Sequence, residues 1–117
     1  MRRVFIPERV DTGWDVESAA SKHGEIVYIL NKDDRTSAFD MGNFALQVRS
    51  RLDELRFDRA QDRFCVVGPL LPVSVCLAAL AAQHSAIELL IYNKHTSEYV
   101  RRSLVLRDDG EQTASDT

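Results

Sequence analysis

Apolar residues along this chain fall into short β-branched or aromatic runs, and between the runs they recur at every third or fourth position. That alternation of periods predicts strands interleaved with helices. Arg3 to Ile6 is an apolar run closed by Pro7, a first strand ending in a turn. Asp11-Thr12-Gly13 opens a helix with Asp11 or Thr12 as its N-cap, Ala19 and Ala20 inside it and Gly24 at its C′ position. Glu25 to Leu30 is a continuous run, the pattern of a strand covered on both faces. After the polar stretch 31–37, Ser37 and Asp40 resemble a capping box for a helix whose core face is Met41, Phe44, Ala45, Val48, Leu52 and Leu55, with Arg49, Arg51, Asp53, Glu54 and Arg56 opposite.

The stretch from Arg63 to Ala82 is the most informative. A β-branched run stops at Gly68-Pro69 and passes into a helix from Pro72 to about His84, with Pro72 at N1, that is apolar almost all round. Such a helix is expected to be wedged between the sheet and a second covering, a partner subunit included. Ala86 to Tyr92 follows as another strand, and a strand-helix-strand unit of this kind is parallel and right-handed. Asn93 to Glu98 then turns the chain back into a strand over Tyr99–Leu106. The expected fold is therefore α/β: a Rossmann-like three-layer sandwich with a mostly parallel central sheet and a C-terminal β-hairpin. The faces of Arg101 and Arg102 stay open at this level, because a slip of one residue exchanges them.

Length fits one domain over 1–106, and the composition beyond it, rich in Asp, Glu, Ser and Thr, predicts a disordered acidic tail over 107–117. The chain is 44% hydrophobic and 28% charged, and no apolar run approaches the roughly 20 residues of a spanning helix, so no membrane association is expected. The N-terminal segment meets Pro7 and Glu8 before an apolar signal region can form, which places the protein in a cytoplasm. Cys65 and Cys76 read as reduced core residues. A net charge of −3 argues against non-specific nucleic-acid binding while leaving room for a small basic pocket.

In open α/β sheets, ligands bind beyond the carboxyl ends of the parallel strands. Read off the sequence, those positions hold Glu8 and Arg9 after the first strand, and Asn31, Lys32, Arg35 and Thr36 after the second. Gly68, Pro69 and Ser74 follow the third strand, and Asn93 and Lys94 the fourth. The set supplies cations, amides and hydroxyls suited to a nucleotide-like, phosphate-bearing small molecule. Neither GxGxxG nor GxxxxGK[ST] is present, and there is no Ser-His-Asp, Cys-His or CxxC pattern. No metal or cofactor is expected, and a binding protein is favoured over an enzyme. His23, His84 and His95 lie on separate segments and receive no catalytic role.

From Phe64 to Tyr99 the order of features resembles the last part of CARF and SAVED domains, the Rossmann-like sensors of cyclic oligonucleotides in prokaryotic antiviral systems. The matching features are the strand ending at Gly68-Pro69, the small-residue helix Ser74 to Ala82, the strand Ile87 to Tyr92 and the return at Tyr99. It is similar also to small bacteriophage proteins of the same order. The resemblance implies ligand contacts at Gly68, Pro69 and Ser74, pairing as a homodimer through helix 72–84 or the C-terminal hairpin, and sequestration of a cyclic-nucleotide signal in counter-defence. Two alternatives stand beside that reading. One is a ring-nuclease-like phosphodiesterase using Lys32 or Arg35; the other is a protein-interaction module with no small ligand.

Overall fold

Residues 2–9, 16–30 and 41–107 are described by a computed structural model. The elements are β1 (Arg3–Ile6), α1 (Val16–Ser21), β2 (Glu25–Tyr28), α2 (Met41–Leu55), β3 (Arg63–Cys65), α3 (Leu70–Gln83), β4 (Ala86–Asn93) and β5 (Glu98–Val105). They build one five-stranded sheet in the order β2-β1-β3-β4-β5. The first four strands are parallel, and β5 runs antiparallel to β4 with Asn93 opposite Glu98. The described residues are thus α/β, with a mixed, mostly parallel sheet and three helices. The expected N-cap at Asp11 or Thr12, the capping box at Ser37 and Asp40, and nearly all of the expected acidic tail lie outside the described residues.

Strand pleating divides the core in two. Phe5, Phe64, Ile87 and Leu89 face α2 and α3 together with Phe44, Val48, Leu52, Cys76 and Leu80. Val4, Ile6, Cys65, Leu90 and Tyr99 face the other side with Val16 and Ala20 of α1. Cys65 and Cys76 are free and buried, one in each cluster.

Four local expectations are corrected. β2 is an edge strand and only partly buried, because the sheet grows from β1 toward β3 and leaves one side of β2 unpaired among the described residues. Its run stays apolar because Ile29 and Leu30, past the end of the strand, are fully buried against α2 and α3 while their N–H groups donate to the Ile6 and Pro7 carbonyls. Gly24 is not a left-handed helix cap: its φ is +154°, and a Cβ there would stand 2.8 Å from the Arg2 carbonyl oxygen. Glycine is needed because the backbones of β1 and the β2 entry pass so closely, with Glu25 N–H donating to that same carbonyl at 3.1 Å.

Helix α3 begins at Leu70, so Pro72 is its third residue; it still lies in the first turn, where a missing N–H costs no helical bond. Ala45 is exposed, since Phe44, Val48 and Leu52, spaced by four, carry the core contact of α2. The apolar surround of α3 is largely absorbed within the chain. Pro72, Val73, Cys76 and Leu80 are buried, Val75, Leu77 and Ala79 pack against the same cluster, and the outward row is the exposed Leu70 followed by the small residues Ser74, Ala78 and Ala82.

Polar ties fix the bottom of the sheet. The Arg3 guanidinium donates twice to the buried Asp62 carboxylate, at 2.8 and 3.1 Å, and also to the Leu55 and Arg56 carbonyls at the end of α2. Asp62 in turn accepts the Asp58 N–H at 2.7 Å.

Candidate functional site

Because β1 to β4 are parallel, the segments after them converge on one end of the sheet. The strand order adds what the sequence lacked: the chain reverses its winding between β1 and β3, which makes their carboxyl ends the topological switch point. Glu8 and Arg9 leave β1 there, and Gly68 and Pro69 leave β3. Asn31, Lys32, Arg35 and Thr36, expected after β2, lie outside the described residues.

Glu8 and Arg9 part company. Glu8 is 6% exposed and its carboxylate is near enough to the Cys76 thiol to help push that group's pKa up to about 12, behind burial as the main cause. It points toward α3. Arg9 turns to the α1 side, where its guanidinium lies 5.0 Å over the Tyr28 ring and 3.4 Å from the Glu17 carboxylate. The Tyr28 hydroxyl donates to the same carboxylate, and burial followed by Glu17 raises its pKa to about 12. Glu17 and Tyr28 had no signal in the sequence, since their partnership depends on α1 crossing above β2.

Gly68 turns the chain from β3 into α3 with φ +112°, a conformation that favours glycine. Pro69 is the N-cap and provides no side-chain hydrogen bond to the helix. Gly68, Pro69 and Ser74 are all exposed. The buried Glu8 carboxylate lies at the same end of the sheet, on the side of Cys76 in α3.

The end of β4 is different. A cleft of about 440 Å³ opens beside the β4–β5 turn, lined by Ile91, Tyr92, Asn93, Lys94, His95, Val100 and Arg102. Two of the expected residues, Asn93 and Lys94, are in it. The turn is held by the Ser97 N–H donating to the Asn93 carbonyl and the His95 N–H donating to the Asn93 side chain, with Ser97 at φ +57°. Lys94 and Arg102 supply two cations and His95 an imidazole, and no carboxylate is among the lining residues. Arg102 enters because it sits opposite Leu89 on the face that also carries Val100 and Leu104; that placement follows from the β4–β5 register, which the sequence left open.

Among the described residues no group of three or more His, Cys, Asp or Glu is placed to hold a metal ion. No helix among them is long and apolar enough to cross a membrane. Comparison with protein-family models, with curated proteins and with solved structures gives no match. What fold and site define is a class: an α/β protein with a mostly parallel five-stranded sheet and a cationic cleft beside its antiparallel edge.

Proposed function

We propose that the protein binds a small, phosphate-bearing, nucleotide-like ligand in the cleft at the carboxyl end of β4. The observation that carries this reading is the lining itself: Lys94, Arg102 and His95 gather without a carboxylate, next to the amide of Asn93 and the apolar Ile91 and Val100. Cations bind the phosphate, the amide fixes orientation, and the apolar pair offers a surface for a base. The site requires no nucleophile, and the protein acts by holding its ligand. The order β2-β1-β3-β4 supports a doubly wound, Rossmann-like reading, in which ligands bind at this end of the sheet, and the CARF-like order of features from Phe64 to Tyr99 makes a cyclic oligonucleotide the first ligand to try. In this reading a homodimer would form along the open β5 edge.

The test is a thermal-shift and calorimetric screen against mononucleotides, ADP-ribose and cyclic oligonucleotides, with the ligand recovered afterwards by chromatography. Binding to the folded state raises the melting temperature by mass action. The expected result is a rise with one ligand class, its loss in Lys94→Ala and Arg102→Ala, and recovery of the ligand intact. No rise with any class, or a rise unaltered in both variants, overturns the reading; recovery of a cleaved ligand would replace holding by turnover.

A further inference from the structure

The other face of β5 carries a second concentration of charge. Strand pleating puts Arg101 and Ser103 on the same face as Tyr99, which packs with α1, and opposite to the face of Arg102. Glu88 on β4 stands between two neighbours, paired in register with Arg63 on one side and with Ser103 on the other. The Ser103 hydroxyl donates to the Glu88 carboxylate, and Arg101 lies 3.9 Å from it. Arg101 and Ser103 are exposed.

Arg63 is the anomaly. It is 5% exposed, yet among the described residues it forms no ion pair, and its one hydrogen bond runs from Nη1 to the His23 carbonyl at 3.0 Å. Its Nε is enclosed without a hydrogen-bond partner. Burial lowers its pKa, and Arg2 and Arg101 lower it further, with Glu88 opposing them. Glu88, the carboxylate paired in register with Arg63, is engaged by Arg101 and Ser103. A buried guanidinium with donors left over is costly unless an acceptor meets it.

We propose that Arg63 and Arg101 form an anion site on the α1 face of the sheet, taking a phosphate or a similar oxyanion, with Arg63 as the rigid anchor and Glu88 holding Arg101 in position. The site is separate from the β4–β5 cleft, which lies on the opposite face and draws on Arg102 instead. An oxyanion supplies the acceptors that the Arg63 fork lacks and offsets the excess positive charge.

The experiment is an NMR titration of the full chain with inorganic phosphate at constant ionic strength, following the Arg63 Nε–H signal. The Lys94 and Arg102 amides report the cleft in the same spectra, so the two sites succeed or fail separately. The Arg63 signal is expected to shift saturably, with the apparent dissociation constant weakened about tenfold in Arg101→Ala and more in Arg101→Glu. Arg101 is exposed on an edge strand, so these variants keep the fold, which the melting temperature verifies. An Arg63 signal that phosphate leaves in place, or that moves equally in wild type and Arg101→Ala, overturns the proposal.

Discussion

Arg3, the first residue of β1, grips Asp62, the residue before β3, through two parallel hydrogen bonds, while its remaining donors close the carbonyl end of α2. One side chain thus joins an interior strand, a helix terminus and the 58–62 turn. Asp62 is only 1% exposed, so removing Arg3 strands a buried carboxylate, and removing Asp62 takes the acceptor from the Arg3 guanidinium and from the Asp58 N–H together. Asp62→Ala is expected to cost about 3 kcal/mol of stability, read from urea denaturation. A loss below about 1 kcal/mol would mean that the pair behaves as an exposed one.

Gly24→Ala tests the close passage at the start of β2. The added carbon meets the Arg2 carbonyl at 2.8 Å, and φ +154° is unfavourable for alanine, so neither strand can yield without disturbing the Glu25 to Arg2 hydrogen bond. A destabilisation of about 2 kcal/mol is expected from thermal melts. An unchanged melting temperature would show that the entry to β2 relaxes freely.

The two thiols make stability fall on the alkaline side. Burial pushes Cys65 up to about 11, partly offset by its hydrogen bond with Tyr99, and burial with Glu8 pushes Cys76 up to about 12. Unfolded thiols release their protons from about pH 8.5, so above that pH the folded state binds more protons than the unfolded one and stability declines. The slope is about 1.4 kcal/mol per pH unit for each thiol until the folded values are reached. Denaturation midpoints taken from pH 7 to 11 measure it, and a thiol reagent should react only once denaturant is added. Immediate reaction of both cysteines in the native protein would contradict their burial.

His84 gives the acid limb. Burial, and Arg59 beside it, hold its pKa below the usual imidazole value despite Asp58, and its ring packs 5.3 Å from that of Phe57. The unfolded histidine takes up its proton first, so the contribution is present above about pH 6.5 and is lost as pH falls toward the folded value. His84→Gln is expected to flatten the stability curve between pH 7 and 5. A slope in that interval identical to wild type would assign it to other groups.

The elements whose identity depends on local pattern were legible in the sequence. Pro7 ended β1, Phe44, Val48 and Leu52 marked the core face of α2, and Gly68-Pro69 marked the passage into α3. What depends on pairing between distant segments was not. Strand order decided that β2 is an edge and that β1 and β3 meet at the switch point, and no periodicity encodes it. The candidate site divided in the same way. Asn93 and Lys94 followed from position after a strand, but Arg102 needed the register, and the partnership of Arg9 with Tyr28 and Glu17 needed the crossing of α1. Glu8 followed from position after β1, but its burial beside Cys76 depends on the packing of α3 and had no local signal.

Arg101 and Arg102 are consecutive in the chain yet serve opposite sides of the sheet, one toward Glu88 and the other into the β4–β5 cleft. Their assignment follows from the register that the 94–97 turn sets together with the packing of Tyr99 and Leu104 on opposite faces. Inserting or deleting a single residue in that turn would exchange the two guanidiniums between faces, and with them Ser103 and Leu104, so the polar partner of Glu88 and an apolar prop of the core would be lost together. The length of one surface turn is therefore a shared genetic constraint on both faces: neither can be retuned by changing loop size without rewriting the other.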